Sequence, residues 1–389
     1  MCLSHIEPQH VLQIMQTLIR MRSCEPGWDE LDIVRYIESL FSAFPVYINV
    51  IQHGNNRASL VVTIEGKERN GRKRAMMGHI DTMVPYNPQD WTYGPFSGHC
   101  ADGMVYGVGA SNAKSGVAAM LAAALSILKN NEKPANDLML CFTADSDGKG
   151  IGARMLLNGG FLNNMSEMFF CDPTGSDISV AQKGTIWLAI EARGHSRHIM
   201  EAAQAVNALD GILKFSEKLS SKFNKISKHH ILGGCAVNLT QVATHDNATW
   251  MVPGYVTGRI DIRITPSFDI EKACDLIDDV KKQIENSQRG LSIKTEIINK
   301  RPAVGIAPDA PLVRQLERIS ERLGRKPKII GQSFYTDAST VIPELGIPFI
   351  AMGPGGRIFN DREDEHVALD DAVFVSNVYR CYMTGGIDA

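Results

Sequence analysis

Residues 114–143 read KSGVAAMLAAALSILKNNEKPANDLMLCFT. From Lys114 to Lys129 the segment is rich in Ala, Leu and Met, which predicts a buried helix. Leu138 to Thr143 follows as a short apolar run, the pattern of a buried strand, and Met168 to Cys171 repeats it. Upstream, Leu60 to Ile64 and Ala75 to Ile80 are apolar runs, and the Asn70-Gly71 pair between them predicts a hairpin. Pro8 to Met21 carries Val11, Leu12, Ile14, Met15, Leu18 and Ile19 at helical spacing. Strands alternating with helices predict an α/β fold with a central sheet flanked by helices.

After Lys183 the texture changes. Thr185–Ala192 and Tyr255–Ile264 alternate, Ala203–Phe215 and Ile270–Ile284 have helical spacing, and a strand is expected near Leu291–Ile297. Two strand–helix units of this size predict an inserted α+β domain. The tail returns to helix (Pro311–Leu323), strand (Ile347–Met352) and helix (Asp370–Tyr382). The expected division is 1–182 and 299–389 for the α/β domain, with 183–298 inserted, a normal domain size.

Forty Lys and Arg against 43 Asp and Glu leave a net charge of −3, which argues against nucleic-acid or anionic-membrane binding. The basic run Lys67, Arg69, Arg72, Lys73 and Arg74 reads as a solvated loop. Gly116 to Leu128 is the longest nearly apolar stretch, too short for a bilayer core of about 30 Å. The eight cysteines form no CxxC pair, and MCLSHIEPQH lacks a charged region followed by an apolar block. A reduced, cytoplasmic protein is expected.

Chemistry concentrates at Gly78-His79-Ile80-Asp81-Thr82, where His and Asp two apart on a strand share a face. A carboxylate beside an imidazole fixes its tautomer for metal binding or proton transfer. The order continues with Trp91, Pro95-Phe96, Asp102-Gly103 and Tyr106-Gly107-Val108-Gly109-Ala110-Ser111-Asn112-Ala113-Lys114. Then come Thr143-Ala144-Asp145-Ser146-Asp147, Cys171-Asp172-Pro173-Thr174, His198, Thr336-Asp337-Ala338 and Gly353-Pro354-Gly355. Cys171 closes an apolar strand and reads as core, and His195 and His366 read as surface histidines.

In this order the motifs resemble the dinuclear-zinc aminoacylase and carboxypeptidase family, which includes acetylornithine deacetylase, succinyl-diaminopimelate desuccinylase and glutamate carboxypeptidases. The resemblance covers nearly the whole chain. It implies a catalytic α/β domain, an inserted lid domain that dimerises, and amide hydrolysis on small amino-acid derivatives. It places His79 as a metal ligand, Asp81 as its orienting carboxylate and Asp172 as an acidic ligand. It makes His198 an oxyanion-stabilising residue supplied to the partner subunit, and puts Lys114, Asp337, Gly353 and Gly355 around a substrate pocket.

Elsewhere the chain departs from the pattern. Asn112 stands where the family has an Asp bridging both zincs. Ser146 and Asp147 replace two adjacent Glu residues, the first a general base and the second a ligand. Asp361 (or Asn360, if the loop differs by one) replaces a zinc-binding His four residues before Glu365. Trp250 replaces a lid Asn, which implies a ligand bulkier or flatter than acetylornithine or a partly filled pocket. A neutral amide cannot supply the charge that holds two cations close together. Oxygen-rich donors favour harder ions. A hydroxyl cannot replace a carboxylate base, a role worth about 10²–10⁴-fold. Ser146 as a nucleophile would need its own base within reach.

The expectation is therefore no cofactor or one divalent metal (Zn, Mn or Mg), and no dinuclear zinc. Three readings stay open: an amide hydrolase with a rebuilt centre, metal-independent acyl transfer, cyclisation or amide formation, and a non-catalytic binder. The expected partners are a small amino-acid-like molecule and a second copy of the chain.

Overall fold

The computed structural model describes residues 5–24, 29–68, 71–245, 248–356 and 362–385. They divide into two compact units, one of Met1–Val180, Ile306–Ile330 and Thr336–Ala389, the other of Ala181–Gly305 and Gly331–Tyr335.

The first unit is built on a mixed sheet. Six of its strands lie in the order Tyr47–Gly54, Arg57–Ile64, Asp137–Thr143, Lys73–His79, Met165–Phe170 and Phe349–Ala351. Lys73–His79 runs parallel to both neighbours. Strands in that setting are covered on both faces, which is why Leu138 to Thr143 is buried throughout. Parallel strands also end together: His79 pairs with Thr143, and Cys171 N–H donates to the Met77 carbonyl. Ligands of open α/β sheets bind beyond such carboxyl ends.

The expected hairpin between Leu60–Ile64 and Ala75–Ile80 does not form. The Asp137–Thr143 strand lies between them, antiparallel to the first and parallel to the second. This buried strand satisfies backbone groups on both of its edges, which a hairpin would have excluded. The hairpin that does form joins Tyr47–Gly54 to Arg57–Ile64, turning through Asn56 at φ 57°. Asn70 and Arg69 lie outside the described residues. Arg74 is not part of a solvated loop: its Nε lies 2.9 Å from Glu167 Oε1, and its guanidinium covers the Tyr382 ring.

Lys114–Lys129 forms the expected helix and is buried along nearly its whole length. It packs with the helices Pro8–Arg20 and Leu369–Met383. Its first turn presses on the strand ends, where a Cβ at Gly116 would lie 2.0 Å from the Cys171 carbonyl oxygen. Only glycine allows that approach.

The second unit is a four-stranded antiparallel sheet, ordered Ala236–Thr244, Tyr255–Ile264, Gly184–Arg193 and Ser292–Arg301. One alternating face supplies Ile186, Leu188, Ile190 and Ile260 to a core shared with Phe215 and Ile277 of two helices. The first helix runs Ala208–Phe223 and not 203–215, because the Asn207 side chain accepts from the Leu209 and Asp210 N–H groups and caps it there. Residues 199–204 form a short 3-10 helix instead. The unit reaches Gly305 and takes in Gly331–Tyr335, where the sequence expectation ended at 298.

Candidate metal and amide site

The site grows from three segments of the first unit: the end of the Lys73–His79 strand, the loop 107–113 before the buried helix, and the loop 144–150 after the Asp137–Thr143 strand. His79 is buried, and both ring nitrogens face acceptors. Nδ1 lies 3.0 Å from the Asp81 carbonyl and 3.4 Å from Asp81 Oδ1, and Nε2 lies 3.1 Å from Asn112 Oδ1. Burial opposes charge on this ring. Asp147, then Asp81 and Asp172, outweigh it and hold His79 well above its ordinary value.

Asp81 is fully buried, and its two oxygens accept the Ser146 and Asp147 N–H groups at 3.1 and 3.2 Å. Burial pushes its carboxyl up, but His79 and those two amides bring it below the usual range. It thus ties the imidazole to the 145–147 loop. Ligand atoms of His79, Asp81 and Asp147 lie within 4.8 Å of one another, a donor set able to hold a cation. Asp172 is buried, and its charge acts on His79. Burial raises its carboxyl to about 7, with Asp337 adding to the rise and His79 and Thr336 opposing it. Its Oδ2 has no hydrogen-bond partner among the described residues.

Glu365, to which the sequence assigns no role of its own, organises the site. Its carboxylate accepts the N–H groups of Gly109, Ser111 and Asn112 at 3.1, 2.8 and 3.0 Å. A buried acid meeting three amides fixes the loop that presents Asn112 to His79. The signal available in the sequence was an acid among residues 362–366 following a Gly-rich loop, too weak to assign alone.

The other expected residues are placed as follows. Ser146 is buried beside Asp81. Lys114 is buried with Nζ donating to the Met21 carbonyl at 2.7 Å, and burial pulls its ammonium down to about 7 against Cys24, Glu365 and Asp81. Asp337 Oδ2 accepts from the Thr143 hydroxyl at 2.6 Å. Gly353 and Gly355 are close-packing positions, where a Cβ would lie 2.4 Å from the Asp172 oxygen and 1.9 Å from the Ser111 oxygen. Cys171 is core, its thiol pushed up by burial and 3.7 Å from Met120 Sδ. Asp361 and Asn360 lie outside the described residues.

His198 and Trp250 belong to the second unit, where they are neighbours. His198 pairs with Met251 across a two-residue ladder, and the Trp250 carbonyl accepts the Ile199 N–H at 2.9 Å. His198 is exposed, as is the indole of Trp250.

No helix among the described residues is long and apolar enough to cross a membrane. A probable succinyl-diaminopimelate desuccinylase of Staphylococcus epidermidis is 23% identical over 379 residues, covering 90% of this chain and 92% of its own. The succinyl-diaminopimelate desuccinylase of Paracoccus denitrificans is 28% identical over 314 residues, covering 78% and 80%. Among solved structures, aminopeptidase PepT of Bacillus cereus superposes with a TM-score of 0.78 at 17% identity, covering 97% of this chain and 98% of that one. An M20-family metallo-carboxypeptidase of Sulfolobus solfataricus gives 0.78 at 15% identity over 95% and 97%. These structures share the fold over nearly the whole chain. The family model for peptidase family M20/M25/M40 matches residues 75–384, a span that contains every site residue named above, and the chain belongs to that family.

Proposed function

We propose that the chain binds a small N-acyl amino acid or dipeptide-like compound and acts on its amide through a rebuilt centre holding at most one divalent ion, Zn, Mn or Mg. The observation that carries this reading is the 3.1 Å contact of His79 Nε2 with Asn112 Oδ1. The names of the two desuccinylases support the N-acyl amino acid as substrate class.

His79, Asp81 and Asp147 bring one nitrogen and two carboxylates within 4.8 Å of one another and fit one ion, and Asp172, the acidic ligand the resemblance implies, is buried with an oxygen that has no hydrogen-bond partner among the described residues. They do not fit a close pair, because Asn112 is neutral. A bound ion would polarise the amide carbonyl as a Lewis acid. Asp81 orients His79, and Glu365 holds the 109–112 loop against it. Ser146 offers a hydroxyl in place of a carboxylate base, so hydrolysis slower by about 10²–10⁴ is the expectation.

The chain acts as a homodimer in this reading, with His198 serving the partner subunit. Exposed Ile199, Met200 and Trp250 around His198 support a covered surface there. Its partners are small molecules, and its place is the cytoplasm, consistent with a net charge of −3 and cysteines without CxxC pairs.

The test joins elemental analysis of protein purified without added metal to turnover of N-acetyl amino acids with each ion, and light scattering for the dimer. One ion or fewer per chain and slow turnover are expected. Two fully occupied zinc ions per chain would overturn the reading.

A further inference from the structure

Asp81 accepts the Ser146 and Asp147 N–H groups, and both belong to a loop that lies beyond the sheet. The Asp137–Thr143 strand ends at Thr143, and the chain turns at Asp145, whose φ of 64° lies in the left-handed region. A residue with a side chain keeps that conformation where its surroundings over-determine it. Part of the constraint is internal to the loop. Asp145 Oδ2 accepts the Lys149 N–H at 2.9 Å and the Ile151 N–H at 3.2 Å, and its carbonyl accepts the Gly150 N–H at 2.7 Å.

The rest comes from the neighbouring strand. Leu60 pairs with Phe142 in the antiparallel register, and continuing that register sets Arg57 opposite Asp145. Arg57 Nη2 lies 3.4 Å from Asp145 Oδ1 and 2.9 Å from Glu30 Oε1, and its Nε lies 3.3 Å from the same Glu30 oxygen. Glu30 is fully buried at the start of the helix Glu30–Phe41. The guanidinium is therefore anchored on a packed helix and reaches the loop with one arm of its fork. Without Arg57, two buried carboxylates would lose the cation they share. Donor groups of a site must be held to within about 0.5 Å, and the Asp145 turn leads directly into Ser146 and Asp147.

We propose that Arg57 is a positioning residue of the candidate site: by bridging Glu30 to Asp145 it fixes the 145–147 loop and keeps the Asp147 carboxylate beside His79 and Asp81. Its effect on a bound ion rests on the one-ion reading of the site, whereas its effect on the loop does not.

Arg74 supplies the control. It stands at the opposite end of the strand that carries His79, is exposed to the same 18% as Arg57, and pairs with Glu167 at 2.9 Å. Its loss removes a comparable ion pair away from the loop.

The test measures amide hydrogen exchange without metal, and Co²⁺ titration followed by visible absorption, in wild type, Arg57→Met, Arg57→Lys and Arg74→Met. In Arg57→Met the Ser146 and Asp147 amides should exchange about tenfold faster or more. Co²⁺ affinity should fall about 10–100-fold, as when a group orienting a metal ligand is lost. Arg57→Lys keeps the charge but not the fork, so it should move both readouts the same way by less, and it carries the comparison if Arg57→Met does not fold. Arg74→Met should melt lower while both readouts stay at wild-type values. Unchanged exchange at Ser146 and Asp147 in the Arg57 variants, an equal rise in Arg74→Met, or faster exchange with full Co²⁺ affinity would overturn the positioning role. Wild type that takes up no Co²⁺, with the two amides still loosened in the Arg57 variants, would overturn the one-ion reading and leave Arg57 as the residue that fixes the loop.

Discussion

His79 Nε2 and Asn112 Oδ1 stand 3.1 Å apart, so the imidazole nitrogen that family resemblance gives to a metal ion faces a neutral amide. Around this pair lie three carboxylates, Asp81, Asp147 and Asp172, whose charge already favours the imidazolium. A cation entering here competes with a proton on His79 and with the amide oxygen for the same nitrogen. Metal affinity at such a centre falls as pH falls, because the ligand must be deprotonated.

Asn112→Asp tests the competition directly. It adds a fourth carboxylate to the group, repelled by the other three and attracted by the His79 imidazolium 3.1 Å away, so the variant without metal should melt close to wild type. With zinc at a hundred times its dissociation constant the variant should gain about 2.7 kcal/mol, and wild type should gain less at the same zinc concentration. Thermal unfolding with and without zinc reads both effects. Equal zinc-induced shifts in the two proteins would count against Asn112 as the limiting position.

Glu365→Gln should be among the more damaging single changes in the first unit. The carboxylate meets three backbone N–H donors, and an amide keeps one acceptor oxygen while turning an NH₂ toward the same donors. Loss of about 2–3 kcal/mol in urea unfolding is expected, with an unchanged m-value. A loss under about 0.5 kcal/mol would mean that water or loop movement replaces the acid.

Glu365 also shows where the sequence stopped being legible. Helix and strand positions followed from apolar periodicity because burial sets it, and Lys114–Lys129 came out with its own ends. The gathering of His79, Asp81, Asn112 and Asp147 at one place in the first unit followed from motif order. The hairpin failed because pairing is decided by which strand lies between, and Asp137–Thr143 is distant in sequence from both partners. The Ala208–Phe223 helix starts later than the apolar spacing predicts because the Asn207 cap outweighs the residues ahead of it. Glu365 contacts a loop more than 250 positions away, and nothing local in the chain announces that. Likewise nothing local in the chain announces that the Lys114 ammonium donates to the Met21 carbonyl.

A pH test concerns Glu30, buried 2.9 Å from Arg57, which also reaches Asp145 at 3.4 Å at the start of the site loop. Burial pushes the Glu30 carboxyl from 4.5 up to about 7, with Arg57 opposing. The folded value lies above the unfolded one, so the folded state holds the proton more tightly. Its stabilising contribution is complete below pH 4.5 and is lost as pH rises through 7. Unfolding free energy of wild type relative to Glu30→Gln should therefore decline between pH 4.5 and 7.5. Parallel stability curves across that window would show that the carboxyl is ionised throughout.

Restoring the family pattern tests the reaction itself. Ser146 lies buried beside Asp81, where the resemblance puts the general base, and its hydroxyl cannot hold a proton as a carboxylate does. Wild type should hydrolyse N-acetyl amino acids poorly with any divalent ion. Ser146→Glu alone should not rescue it, because Asn112 still leaves no anionic bridge and His79 remains hydrogen-bonded to an amide. Asn112→Asp, Ser146→Glu and Asp361→His together should recover zinc binding and measurable hydrolysis, far beyond the sum of the single changes, since such residues act as a unit. The reading is checked by initial rates with zinc across the wild type, the single variants and the triple variant. Wild-type turnover already within the usual ~1–10³ s⁻¹ would show that Asn112 and Ser146 sustain hydrolysis as they stand.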